Sequence, residues 1–317
     1  FLYAQGSHTL QQMVSDVAGD VEDPQTGVSI LERRKSAMAA NASSAKAKKE
    51  IINSPSMTIG ALGSGSDYSP FIQHLGIPAL NIGFGGEDDG GEYHSIYDSY
   101  DLYKRFKDPT FEYGVALAKT AGRITLRLAN ANVLPFDFMG FYKTVNGYVS
   151  EVTSLLDNMR ESTEVENQMI HENRYVQASD PKKTFVQPST KGPVPYLDFS
   201  NVLNAQAGLE KSAREYAELI KLNPNPNTNL ERLNKLLYTA EQKLTVDSGL
   251  PRRPWFQHTI YAPGYYTGYG VKTLPGVREA IEQRNWKEAQ EQIEILAKNL
   301  VRYSKQIDEA AAILKMK

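Results

Sequence analysis

The sequence predicts an α/β sheet domain over residues 1–135 followed by an all-α helical domain over residues 136–317. Two observations lead there. Up to about residue 135, short apolar runs alternate with helical patterns, as they do in α/β domains. Beyond "VLPFDF", residues 133–138, long helical stretches alternate with polar loops, and the last helix carries one unbroken apolar seam. At 317 residues, each part is large enough to bury a core of its own.

The opening "FLYAQ" reads as the end of a strand, not as a translation start or a signal peptide, so the chain is expected to be the later part of something longer. "SHTLQQMVSDVAGDV" reads as a helix capped by Ser7 or Thr9. "GVSILERRKSAMAANASSAKAKKE" reads as a short helix and then a solvated polar loop. "MTIGAL" is a candidate strand, "SDYSPFIQHLG" a capped helix ending at Gly76, and "IPALNIGF" a buried strand with little alternation. Asp108 followed by Pro109 opens a long helix through "LANAN".

In the second part, Val145, Tyr148, Val149, Val152, Leu155, Leu156 and Met159 share one helical face. The proline-bearing stretch from about 160 to 200 reads mostly as loop. Two helices follow, "NVLNAQAGLEKSAREYAELIKL" and "NLERLNKLLYTAEQKLT". The final helix places Trp286, Ala289, Ile293, Leu296, Leu300, Tyr303, Ile307, Ala310 and Leu314 on one seam, suited to packing in an antiparallel bundle.

Composition narrows the partners. The net charge of −2 is spread over both parts and gives no sign of a nucleic-acid face. No apolar run is long enough to span a membrane. Without cysteine, the chain has neither a disulfide framework nor a thiolate metal site.

Two segments carry candidate chemistry. In "GGEYHSIYDSYD", residues 90–101, His94 follows Tyr93 on a turn between a strand and a helix, with Gly90 and Gly91 allowing close backbone approach. A neutral imidazole there suits a metal ion, while a buried structural histidine is the plainer reading. In "LGSGSDYSPFIQHLGIPAL", a Gly-Ser-Gly loop before a helix either holds an anion on its amides or forms a tight turn capped by Ser66 or Asp67.

Together, "GSGSDYSPFIQHLGIPAL", "YHSIYDSYDLYKRFKDPTFEY", "LANANVLPFDF" and the later "PWFQHTIYAPGYYTGYGVKTLPGVREAI" resemble the glutamate carboxypeptidase II and transferrin-receptor-like branch of the co-catalytic zinc peptidases, in order and over nearly the whole chain. The resemblance implies the C-terminal part of a zinc-peptidase α/β domain and then a helical domain that pairs two subunits. It implies two zinc ions sharing a hydroxide that attacks a terminal peptide bond. His94 would be one zinc ligand, and Tyr93 would support the developing oxyanion. Ser64 and Gly65 would line the site, and Tyr269 would reach the substrate's terminal carboxylate. The other ligands and the general base belong upstream of Phe1, so the chain alone is expected to be inactive and not to hold zinc.

Asp67 is left between a second role behind the metal ligands and a helix cap. Glutamate-preferring members of the branch have a lysine where this sequence has Gly268, and arginines where it has Asn81 and Gly83, which argues against strict glutamate preference. A peptide substrate, a homodimer and an extracytoplasmic location are the family's implications. Two alternatives stand beside the peptidase: a non-catalytic, receptor-like homologue, and a helical module whose final seam binds a partner helix.

Overall fold

A computed structural model describes residues 1–86 and 91–315. Its elements are mostly helical, with two small antiparallel sheets. Gly90 lies outside the described residues.

Strand β1 (Leu2–Gly6) pairs antiparallel with β2 (Leu80–Phe84), Ala4 opposite Ile82. "MTIGAL" adds a single parallel bridge on the other edge, where the amides of Gly6 and Gly60 donate to Gly60 and Ala4 carbonyls at 2.9 Å each. It does not extend into a ladder. β2 is half-buried rather than enclosed on both faces as its apolar run predicts.

After a 3₁₀ turn at His8–Leu10 comes α1 (Gln11–Gly19), which buries Met13, Val14, Val17 and Ala18. Ser7 does not cap it; its hydroxyl donates instead to Glu241. Next are α2 (Ile30–Asn41) and α3 (Ala45–Asn53). α3 occupies the stretch expected as loop: Ser44 accepts from the Ala47 amide, and the Ala/Lys run beyond it contains good helix formers and no breaker.

A π turn at Pro70–His74 ends before Gly76, whose φ of +61° takes the left-handed conformation expected after a helix end. A short α4 (Tyr100–Leu102), capped by Ser99, leads into α5 (Glu112–Asn130). The Asp108 carboxylate accepts from the Gly114 amide at 2.8 Å and the Tyr113 amide at 3.3 Å, satisfying donors at the start of α5. Leu2, Val14, Val17, Ile59 and Ile124 belong to the core formed here.

The long α6 (Phe138–His171) starts at Asp137, which accepts from the Gly140 amide at 2.9 Å. It runs past residue 160 into the stretch read as loop, because "ESTEVENQMIH" has strong formers and no glycine or proline. After α7 (Arg174–Ala178), residues 179–199 have no regular structure. α8 (Ser200–Leu222) and α9 (Leu230–Tyr238) follow. Asn229 caps α9 by accepting from the Arg232 amide at 2.9 Å. Asn229→Ala is expected to lower stability by about 1 kcal/mol, read as a shift in the urea midpoint.

The hairpin of β3 (Tyr261–Pro263) and β4 (Val271–Thr273) precedes α10 (Pro275–Glu282) and α11 (Trp286–Lys315). Along α11 the seam residues Ala289 to Ala310 are buried, and Trp286 and Leu314 are partly buried at its ends. Phe138 on α6 meets Tyr216 on α8 and Tyr303 on α11 at ring separations of 5.1 and 5.8 Å, while Phe141 meets Tyr303 at 4.7 Å. These rings fix three helices around one core. Among the described residues no helix is long and apolar enough to cross a membrane.

Candidate active-site surface

The Gly63–Ser64–Gly65 turn and the β3–β4 connection come from opposite ends of the chain and lie against each other. The Ser64 amide donates to the Tyr269 carbonyl at 3.1 Å. A Cβ on Gly63 would stand 1.9 Å from that oxygen, so the approach requires glycine. Gly65, at φ +100°, faces the Tyr269 ring, where a Cβ would lie 2.8 Å from Cδ1. Ser64, Gly65 and Tyr269, singled out separately in the sequence, therefore form one surface.

Both walls are held from behind. The buried Gln73 amide donates to the Leu62 carbonyl at 2.9 Å and to the Gly63 carbonyl, while the Gln73 backbone carbonyl accepts from the Gln257 amide at 2.8 Å. Tyr68 donates to the Ser64 carbonyl at 3.2 Å. On the other side the Gly264 amide donates to the Gly270 carbonyl at 2.8 Å, closing the loop that presents Tyr269. Its base is tied to α10: Glu279 accepts from the Tyr265 amide at 2.6 Å and from Arg253 through both carboxylate oxygens. Gln73 and the Arg253–Glu279 pair escaped the sequence reading, because an isolated polar residue in an apolar helix and an ion pair between remote segments leave no local pattern.

Tyr93 and His94 stand on a chain of turns. The Ser95 amide and hydroxyl both donate to the Glu92 carbonyl, at 2.9 and 2.6 Å, and Lys107 pairs with the Glu92 carboxylate. His94 has a φ of +60°, an uncommon conformation for a residue with a Cβ and the kind of local strain that collects at functional sites. Its exposed ring stacks on Tyr93 at 3.8 Å, and Tyr93 is itself 69% exposed. The buried structural histidine that a lone imidazole suggests is therefore not what is built. Among the described residues no hydrogen bond links Tyr93 or His94 to the Ser64–Tyr269 surface.

A zinc ion needs three or four ligands from the protein. No group of three or more His, Asp or Glu side chains among the described residues is arranged to hold a metal ion. His94 offers one imidazole, so these residues do not by themselves fit the metal.

The positions bearing on specificity are explained locally. Gly83 lies under the Tyr3 phenol, 2.3 Å from where a Cβ would be, so a long cation there would displace that ring. Asn81 is paired opposite Gln5 in the sheet. Gly268 has open space around it but a φ of +59°, which glycine adopts without strain. The exposed Asp67 carboxylate accepts no hydrogen bond among the described residues, so the cap reading fails for it.

Residues 197–308 match the model of the transferrin receptor-like dimerisation domain. The chain is similar to a probable glutamate carboxypeptidase of Arabidopsis thaliana, 27% identical over 99% of this chain and 38% of the relative. It is similar to a probable glutamate carboxypeptidase of Arthroderma benhamiae, 33% identical over 74% of this chain and 29% of the relative. An aminopeptidase of Mus musculus is 24% identical over 75% of this chain and 30% of its own length. The chain thus spans about a third of the length of these curated relatives.

Proposed function

Because the chain belongs to the transferrin-receptor and glutamate-carboxypeptidase-like branch, we propose that it contributes one wall of the active site of a zinc-dependent exopeptidase and the helices through which two copies pair. The observation that carries this reading is the Ser64–Tyr269 contact, which joins the Gly-Ser-Gly turn to the tyrosine loop in one exposed surface. The phenol of Tyr269 is 68% exposed beside backbone that only glycine permits, an arrangement suited to gripping the end of an extended peptide. Tyr93 offers a second exposed phenol.

His94 enters this reading as one ligand of a zinc site completed by polypeptide outside this chain, since the relatives are about two and a half times as long. When bound, such a metal would supply polarisation of a peptide carbonyl. The chain's own residues bind and orient the substrate. With Gly83 covered by Tyr3 and no cation at Asn81 or Gly268, no strict preference for glutamate is expected.

The test is metal analysis and dipeptide hydrolysis with the longer protein, wild type and His94→Ala. Loss of a ligand is expected to weaken zinc retention at least about tenfold and to lower turnover in parallel. Zinc retention unchanged by the substitution would remove His94 from the site. Absence of both zinc and hydrolysis in the wild type would favour the receptor-like homologue instead. The isolated 317-residue chain is expected to hydrolyse no dipeptide.

A further inference from the structure

Bulk composition hides one strongly charged feature. Between α9 and α11 lies an open groove of about 580 Å3. Arg232, Lys235 and Lys243 line one side and Arg302 and Lys305 the other, while Glu309 is the single carboxylate among the lining residues. The protein as a whole carries −2, so this concentration is local.

None of the five cations is in an ion pair among the described residues. Lys305 and Glu309 are one helical turn apart on α11 without forming one. Among the described residues Arg302 donates only to the side-chain oxygen of Asn299, at 3.3 Å. Lys235, in the last turn of α9, complements the negative end of that helix, but this accounts for one charge of five. The groove floor is fixed: Gln306 is 5% exposed, and its amide donates to the Leu236 carbonyl at 2.6 Å and to the Thr239 hydroxyl at 2.9 Å.

Like charges gathered in a concave site repel one another, and a surface selected only for solubility intersperses the two signs. The same arrangement concentrates the field and attracts anions. Two guanidinium groups present paired donors that match phosphate oxygens, and three ammonium groups add point charges. We propose that this groove binds a multivalent phosphate anion carried by a soluble, phosphorylated small molecule. The inference is independent of the peptidase reading, since it uses neither Tyr269 nor His94.

Calorimetric titration with inorganic tripolyphosphate tests it. Binding is expected to weaken steeply as sodium chloride is added. The double substitution Lys243→Gln with Arg302→Gln should lower affinity by about a hundredfold, roughly tenfold for each cation removed. Lys298→Gln, on α11 but outside the groove lining, removes one charge and should alter affinity by less than about twofold, against roughly tenfold for each groove cation. Melting curves of the variants should superimpose on the wild type, since all three side chains are exposed or half-buried. Phosphatidylcholine vesicles with and without phosphatidylinositol phosphate are expected to sediment the protein equally little. The proposal is overturned by a lack of tripolyphosphate binding, by an equal loss of affinity in Lys298→Gln, or by capture on the phosphoinositide vesicles without tripolyphosphate binding.

Discussion

Gly63→Ala is expected to lower the stability of the chain by about 3 kcal/mol, the sum of a backbone overlap of about 2 kcal/mol and a lost hydrogen bond of about 1 kcal/mol. The added methyl would sit 1.9 Å from the Tyr269 carbonyl oxygen and 2.9 Å from the Val271 amide nitrogen. Both are backbone atoms, so no side chain can rotate out of the way. Neither wall yields easily, since Gln73 holds the Gly63 carbonyl and the hairpin holds Val271. The two strands of chain must part, and the bond from the Ser64 amide to Tyr269 must break. Urea denaturation measures the loss, and amide exchange at Ser64 localises it.

The sign of the effect is what makes the measurement decisive. If Gly63 were only a flexible turn residue, alanine would stabilise the protein by about 0.4–1 kcal/mol through the unfolded chain. Gly122 supplies that comparison. It lies within α5, and a Cβ there meets nothing within 4 Å, so Gly122→Ala should stabilise by up to about 1 kcal/mol. A Gly63→Ala protein as stable as the wild type would mean that the close approach of turn and hairpin is not maintained in solution. The Ser64–Tyr269 surface, and the reading built on it, would then be lost.

How much of this was legible depended on whether the deciding contact was local. The seam of α11 was readable because burial along a helix repeats with its turn, and Ala289, Ile293, Leu296 and Leu300 show that repeat directly. The second half of α6 and all of α3 were not readable in this way. Both are polar over most of their surface, so no apolar period separates them from a solvated loop, although helix formers fill them. The edge at "MTIGAL" was apolar enough for a strand, but it forms one bridge only, because pairing is decided by a neighbour and not by the segment. At the candidate site, His94 was conspicuous as a histidine in a turn. That Tyr269 lies on Gly65 is a long-range fact, and only the resemblance to a family pointed to it. Of the group around His8, Tyr148 was legible on the apolar face of α6, but the buried His8, Glu241, His258 and Tyr261 left no trace as a cluster, since they come from remote segments.

That buried group underlies the second large effect, a loss of roughly 3 kcal/mol of stability as pH falls from about 6.5 to about 4, read from the His8 imidazole being pushed down to about 4 by burial. His8 is fully buried where the N-terminal segment meets α6 and β3. Its Nε2 lies 2.7 Å from the Tyr148 hydroxyl, its ring packs edge-on to Tyr261 at 5.4 Å, and its Nδ1 has no hydrogen-bond partner among the described residues. The nearby Glu241 carboxylate is engaged elsewhere, accepting from Ser7 at 2.9 Å and lying 3.3 Å from His258 Nε2. A proton on His8 would therefore be a buried charge without a carboxylate to offset it. The folded state disfavours that proton, whereas the unfolded chain accepts it near the ordinary histidine value of 6.5. Stability from this residue is thus complete above about pH 6.5, declines as pH falls through the window, and is fully lost below about pH 4. Urea midpoints measured across the window in wild type and His8→Gln check the assignment. The glutamine variant should be less stable at neutral pH but nearly flat between the two values, because it has no proton to gain. If the variant keeps the wild-type slope, the titrating group is another one, and the docking of the N-terminal segment on α6 does not depend on a neutral His8.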